Sequence, residues 1–234
     1  MPDNSPDLCL HEQVLLLALR DADGTIEAEA GQYPHALGGA ILAELILRNR
    51  LRVASDKEQL VELIDESVTK EPILDEALSM VLNEKNPRSS ADWVERFTGI
   101  SDLKHKVAHE LCDRGILEDS LEKVLLIFSR KVYPEVNHEP EQELIDTLRA
   151  AVFSEKSEVE PRVAILVSLS HAAGILNVYF DKGDLERRAD RIKEIVNGSA
   201  LKGAAGHAVE SAIMAQQAAV ITATTTAVIA ATAS

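Results

Sequence analysis

The sequence predicts a mainly α-helical protein: a compact helical bundle with two small β-hairpins and an Ala-rich C-terminal helix. Hydrophobic residues make up 46% of the 234 residues but aromatic residues only 3%, so the core must be built from aliphatic side chains. An Ala-rich aliphatic composition with few glycines favours helix over sheet. Apolar residues also recur at helical spacing along most of the chain, with turn-forming residues between the segments.

In the first half of the chain, helices alternate with short extended segments. A flexible lead-in at 1–9 is predicted to precede a single domain at 10–234. The predicted helices span 10–19, 36–47, a segment opened by Pro72, a segment capped by Ser90, and 102–114 with Gly115 as a left-handed stop. The predicted hairpins combine 51–53 with 60–64, and 116–117 with 124–128. Helix followed by hairpin occurs twice, which indicates two winged-helix-like units.

The second half of the chain is predicted to be helical throughout, at 139–152, 160–176, 184–196 and 204–231. Asp184 matches the start signal of the third of these helices, and Asn197-Gly198 matches its stop signal. Residues 211–234 contain no charged side chain and are rich in Ala and Thr. An apolar stripe in this segment, at Ile213, Ile221 and Val228, is typical of a helix that packs closely against its neighbours.

The net charge of −15 limits the classes of partner. A chain this acidic repels nucleic acids and anionic bilayers unless its Lys and Arg residues are concentrated locally, so we expect no nucleic-acid partner. Only two cysteines are present, Cys9 and Cys112, and the first residues lack the basic and apolar regions of a signal peptide. These features predict a reduced, cytoplasmic protein.

The sequence contains no pattern typical of an enzyme: it has no nucleophile elbow, zinc-protease motif or P-loop. The DADG segment that ends at Gly24 predicts a tight turn rather than a calcium loop. His105, His109 and Cys112 have zinc-ligand spacing but no fourth ligand close in sequence. Glu44, Asp75 and Glu76 could act as acids or bases, but without a partnered histidine or metal cluster they are predicted to be helix caps and members of ion pairs. We therefore expect no catalytic residues, no cofactor and no metal.

The candidate binding residues are basic. Lys104 and Lys106 lie near the start of a predicted helix, and Arg130 and Lys131 follow the second predicted hairpin. If that hairpin folds back on the helix, Lys104, Lys106 and Arg130 converge into a small anion-binding site. The alternative is that these residues are scattered, solvated charges.

Five segments carry a family resemblance: EQVLLLALRDADG, ALGGAILAELILRNRL, PILDEAL, LCDRGIL and LVSLSHAAGIL, in this order. Together they resemble the Golgi phosphoprotein 3 family over about residues 10 to 200, in particular its bacterial members, which also tend to end in an Ala-rich helix. The resemblance implies a helical bundle with small hairpins. Eukaryotic members are peripheral membrane adaptors rather than enzymes; they bind phosphatidylinositol 4-phosphate and help to retain glycosyltransferases in the Golgi. Their second hairpin contributes to self-association and membrane contact, and 124–128 occupies its place here.

The resemblance also implies where a lipid headgroup would bind. The family uses a tryptophan and an arginine in the first segment, and two basic residues three apart before the second hairpin. The matching positions are Glu29, Gly38, Ser101 and Lys104, so one of the four is retained. We therefore expect a non-enzymatic adaptor, cytoplasmic and membrane-associated, whose headgroup site is largely not retained. The alternative is a structural or protein-interaction scaffold that self-associates and has lost lipid binding.

Overall fold

The computed structural model describes residues 8–20, 23–54, 57–124, 128–155 and 158–201. Within these ranges the protein is mainly α-helical, as predicted, with ten α-helices and two two-stranded antiparallel sheets. The predicted helix at 204–231 lies outside the described residues, as do residues 1–7 of the predicted lead-in.

The helices are α1 (Leu10–Ala18), α2 (Tyr33–Leu47), α3 (Pro72–Asn83), α4 (Ser90–Thr98), α5 (Leu103–Asp113), α6 (Glu139–Phe153), α7 (Pro161–Ala173), α8 (Leu176–Tyr179), α9 (Lys182–Arg187) and α10 (Ala189–Val196). The strands are β1 (Leu51–Val53), β2 (Val61–Leu63), β3 (Ser120–Val124) and β4 (Phe128–Val132). β1 pairs with β2 and β3 pairs with β4, with Leu51 opposite Leu63 and Ser120 opposite Val132.

Helix α2 forms the centre of the bundle. Its buried residues lie on all sides of the helix, because α1, α3, α4 and α7 pack around it. Helix α1 is almost as deeply buried, between α2, α5, α6 and α7. Leu8 and Cys9, assigned by the sequence to the flexible lead-in, also lie in the core, so the buried chain begins two residues before α1.

Local capping groups explain where several helices begin. The cap of α4 is Ser89 rather than the predicted Ser90, because the Ser89 hydroxyl accepts a hydrogen bond from the Asp92 N–H at 3.2 Å. The predicted helix at 184–196 is two helices, α9 and α10. The cap of α9 is Asp181, whose carboxylate accepts from the Asp184 N–H at 3.1 Å.

The second hairpin is present, but its strands do not lie where the sequence predicted. Residues 118–123, predicted as the turn, include most of β3. Of the predicted strand 124–128, Val124 ends β3 and Phe128 begins β4, and residues 125–127 lie outside the described residues. Leu117 instead forms an isolated bridge with Glu135 at the base of the hairpin. The prediction located the strands by their apolar residues, whereas β4 includes exposed polar residues such as Arg130 and Lys131.

Gly38 allows α2 and α4 to approach closely. A β-carbon at this position would lie 2.5 Å from the Val94 carbonyl oxygen of α4. Alanine is favoured over glycine in a helix by about 1 kcal/mol. The overlap with a rigid backbone oxygen outweighs this gain, since overpacking typically costs about 1–3 kcal/mol.

We therefore expect Gly38→Ala to lower the free energy of unfolding by about 1 kcal/mol, as measured by urea denaturation. Gly31→Ala is the matched control, because its added β-carbon meets only the Ala28 carbonyl oxygen, at 3.8 Å. A Gly38→Ala protein as stable as this control would show that the contact between α2 and α4 is not tight.

Candidate anion-binding site

The first turn of α5 and strand β4 form the candidate site. Helix α5 begins after Asp102, which has a left-handed backbone (φ 56°), and ends before Gly115, which has the predicted left-handed conformation (φ 71°). Lys104 and His105 lie in the first turn of this helix. The chain then forms β3 and β4 and returns to α5 at Tyr133, immediately after β4.

Tyr133 fixes the hairpin against α5 and against the turn at Gly24. Its ring is buried, its hydroxyl lies 2.8 Å from His105 Nδ1, and its ring meets the His109 ring edge-on at 5.7 Å. Its backbone N–H donates to the Gly24 carbonyl oxygen at 3.1 Å. Burial, with Asp119 and Cys112, raises the pKa of the Tyr133 hydroxyl to about 12, so the phenol stays protonated. The Gly24 turn, α5 and the hairpin therefore meet at one residue, Tyr133, through its backbone and its side chain.

Lys104 is the most distinctive cation of the site. Its side chain is partly buried, and it forms no ion pair or hydrogen bond with the residues that the structure describes. Burial, and then repulsion from the nearby Arg130 guanidinium, lower the pKa of the Lys104 ammonium. A cation held in this way, beside a second cation, is suited to bind an anion from outside the protein.

The two basic residues of β4 are already paired with acids. Arg130 contacts the Glu122 carboxylate on β3 at 2.6 Å, and the Lys131 ammonium lies 3.9 Å from Asp119. Both pairs are exposed to solvent, so the carboxylates screen these charges only in part. The Arg130 guanidinium lies near enough to Lys104 to lower the pKa of its ammonium, and Arg130 belongs to β4 rather than to the segment after the hairpin.

Lys106 does not join this group. Its ammonium forms an ion pair with Glu76 of α3, at 2.6 Å. Residues two apart in a helix point in roughly opposite directions, about 200° around the axis, so Lys104 and Lys106 belong to different faces of α5. The basic residues of the candidate site are therefore Lys104 and Arg130, with Lys131 at its edge.

The resemblance implies three further positions for a headgroup site, and none of them carries a basic residue. Glu29 and Ser101 are exposed and carry no positive charge. The third position, Gly38, is covered by the backbone of α4, so no longer side chain fits there. Among the four positions that the resemblance implies, Lys104 is the one that carries a positive charge.

The histidine and cysteine row on α5 faces the hairpin. His105 contacts Tyr133, and His109 Nε2 lies 3.7 Å from Asp119. Cys112 is a free thiol whose pKa burial raises to about 11. In the part of the chain that the structure describes, no group of three or more His, Cys, Asp or Glu side chains is arranged to hold a metal ion.

A second cluster of charges, centred on Glu44 of α2, lies at the start of α1 and joins distant segments of the chain. Glu44 is only 3% exposed and accepts hydrogen bonds from the Leu10 N–H, from Arg48 and from Arg162, each at 2.9 Å. Burial alone would raise the pKa of Glu44, but Arg162, the Leu10 N–H and Arg48 together lower it below the ordinary value. The prediction that Glu44 takes part in an ion pair is confirmed.

Glu12 has a similar structural role in α1. Its carboxylate is fully buried and accepts from the Cys9 N–H at 2.7 Å and from Arg114 Nε at 2.6 Å. Cys9 itself is a buried, free thiol, and burial with the nearby Glu44 and Glu12 carboxylates raises its pKa. Arg114 follows α5 directly, so its bond to Glu12 fixes the end of the helix that carries Lys104.

Membrane-spanning helices are absent from the described ranges: none of their helices combines the length and the apolar character that a bilayer crossing requires.

Comparison with known proteins confirms the family resemblance that the sequence predicted. The family model for Golgi phosphoprotein 3 (GPP34) matches residues 10–216. A relative from Schizosaccharomyces pombe, vacuolar protein sorting-associated protein 74, is 27% identical over 229 residues, which cover 83% of this chain and 67% of the relative. The protein of the same name from Eremothecium gossypii is 25% identical over 215 residues, which cover 78% and 64%. The chain thus spans about two thirds of the length of these relatives. Because the family model matches most of the chain, this protein belongs to the Golgi phosphoprotein 3 family.

Proposed function

We propose that this protein is a non-enzymatic, peripheral membrane adaptor that binds a phosphorylated lipid headgroup, such as that of phosphatidylinositol 4-phosphate, at Lys104 and Arg130. The observation that carries the proposal is the Lys104 ammonium, which is partly buried, next to Arg130 and without a partner among the described residues. Phosphate oxygens accept charge-assisted hydrogen bonds from both kinds of cation. Membership of the Golgi phosphoprotein 3 family supports the adaptor role.

The departures at Glu29, Gly38 and Ser101 weaken this site without removing it. Each hydrogen bond to a charged group contributes about 1.5–3 kcal/mol, so several missing contacts reduce the affinity by orders of magnitude. We therefore propose a low-affinity headgroup site that acts together with another membrane or protein contact.

Vesicle flotation at low salt tests the proposal, because ion pairs are least screened there. We expect the protein to float with phosphatidylcholine vesicles that contain phosphatidylinositol 4-phosphate, and not with phosphatidylcholine alone. Lys104→Gln should weaken binding about tenfold or more, the equivalent of one lost charge-assisted contact.

Lys106→Gln is the matched control, since it removes the same charge from the other face of the same helix. Its binding should equal that of the unmodified protein. Equal losses in the two variants, or no flotation of the unmodified protein, would contradict the proposed site.

The second candidate is a scaffold that self-associates and has lost lipid binding. Leu121 on β3 favours it, because this large apolar side chain is 66% exposed on the second hairpin. Light scattering distinguishes the two functions: a scaffold forms larger species as its concentration rises. A strict monomer over a wide concentration range would contradict the scaffold.

A further inference from the structure

His105 lies beside Lys104 and links α5 to Tyr133 through a side-chain hydrogen bond. Its Nδ1 is 2.8 Å from the Tyr133 hydroxyl, and the structure gives its Nε2 no partner in the described ranges. A phenol hydroxyl can donate to a neutral imidazole or accept from a protonated one. The bond to Tyr133 can therefore persist in both protonation states of His105.

The charges that face His105 come from three segments. Lys104, Asp102 and His109 belong to α5 or its cap, and Lys131 belongs to β4. Asp119, which precedes β3, lies between His109 and Lys131, at 3.7 Å and 3.9 Å.

In the free protein these surroundings favour the neutral imidazole. Burial, and then Lys104, lower the pKa of His105, with smaller contributions from Lys131 and His109. The Asp102 carboxylate raises the pKa of His105, but by less than burial and the nearby cations lower it. At neutral pH the imidazole is thus uncharged. Its protonation would add one positive charge next to Lys104.

We propose that His105 takes up a proton from solvent when a phosphate group binds at Lys104 and Arg130, so that the affinity for the anion rises as the pH falls. This inference rests on the proposed function. A bound phosphate neutralises the cations that oppose the charge on His105, and its own negative charge attracts the imidazolium. The coupling is reciprocal: if phosphate binding raises the proton affinity of His105 by a given factor, protonation of His105 raises the affinity for phosphate by the same factor.

The expected size follows from one additional charge pair. For charges about 6 Å apart and an effective dielectric constant of about 40, the affinity changes about tenfold. The same linkage raises the pKa of His105 by about one pH unit on saturation with the anion. Two measurements therefore test one coupling.

The first measurement is vesicle binding at about pH 8 and about pH 5.5, which bracket the ordinary histidine pKa. Phosphatidylcholine vesicles doped with phosphatidylglycerol serve as the probe, because a phosphodiester keeps its single charge over this range. We expect the affinity of the unmodified protein to rise about tenfold more than that of His105→Gln as the pH falls. His138→Gln, a change at an exposed histidine paired with Glu135, should behave like the unmodified protein.

The second measurement needs no variant: the pKa of His105 is followed by NMR with and without ligand. A rise with inorganic phosphate alone supports the inference for a free anion, and a rise with vesicles alone supports it for a lipid headgroup. An unchanged His105 pKa with either probe overturns it.

The vesicle experiment also separates the two proposals. If Lys104→Gln loses binding at about pH 8 but His105→Gln keeps the full pH dependence, protonation of His105 is not coupled to anion binding. That result contradicts the inference about His105 and supports the proposed headgroup site at Lys104. If the unmodified protein binds neither vesicles nor phosphate at either pH, both proposals fail.

Discussion

Replacing Glu44 by glutamine is expected to lower the free energy of unfolding by about 3 kcal/mol, within the range for breaking a buried ion pair. The carboxylate is nearly inaccessible and accepts from three donors, two of which are guanidinium groups. The glutamine amide has no negative charge, and its NH2 group replaces a carboxylate oxygen that accepts hydrogen bonds. The NH2 group is itself a donor, so it cannot bond the donors that surround Glu44. Because Arg48 and Arg162 are about one-third exposed, water compensates in part, which places the effect at the lower end of that range. Denaturant unfolding followed by circular dichroism measures the loss.

Glu62→Gln is the matched control. Glu62 forms an ion pair with Arg52 across β1 and β2, but both side chains are exposed, so this change should cost less than about 1 kcal/mol. Equal losses in the two variants would show that burial does not strengthen the Glu44 cluster.

The Glu44 variant should also change the dependence of stability on pH. The folded pKa of Glu44 lies below its ordinary value of 4.5, so the carboxylate stabilises the fold above about pH 4.5. This contribution is lost as the pH falls through the lower, folded pKa. The unmodified protein should therefore lose stability more steeply below about pH 4.5 than Glu44→Gln does, as measured by thermal melts across that range. Parallel curves would contradict the assignment.

The second large effect is expected at Gly24. Its backbone is left-handed (φ 62°), and a β-carbon there would lie 2.1 Å from the backbone carbonyl carbon of Tyr133. Gly24→Ala should lower the free energy of unfolding by about 3 kcal/mol, since the backbone strain and the steric overlap add. Because Tyr133 must move, its contacts with His105 and His109 should loosen, and anion binding at Lys104 should weaken with them.

Gly115→Ala separates the two contributions. Gly115 is also left-handed (φ 71°), but a β-carbon there would meet no atom within 4 Å, so this variant carries the backbone cost of about 1–2 kcal/mol alone. Thermal melts of both variants measure the difference. A Gly24→Ala protein no less stable than Gly115→Ala would contradict the close contact between the Gly24 turn and Tyr133.

Hydrophobic periodicity predicted the helices well, because most of them bury one face or all faces. It misplaced the second hairpin for the opposite reason. Strand β3, with exposed Leu121 and paired Glu122, carries no apolar alternation in its sequence. The pattern instead selected Ile116 and Leu117, which are buried at the base of the hairpin.

The candidate site was predictable only to a limited extent. Lys104 was predicted both from the basic residues near the start of a helix and from the family resemblance. Helix geometry alone could have excluded Lys106, two residues further on. The role of Tyr133 had no local signal, because its contact with Gly24 joins segments more than a hundred residues apart. The pairing of Glu44 with Arg162 had no local signal either, because the two residues are 118 positions apart.

The central claim is that a phosphate group binds between the first turn of α5 and β4. Backbone NMR spectra during a titration with the soluble headgroup inositol 4-phosphate test it most directly. We predict that shifts concentrate at 103–106 and 129–131 and disappear in Lys104→Gln but not in Lys106→Gln. No shifts at these segments, or shifts that Lys104→Gln leaves intact, would contradict the claim.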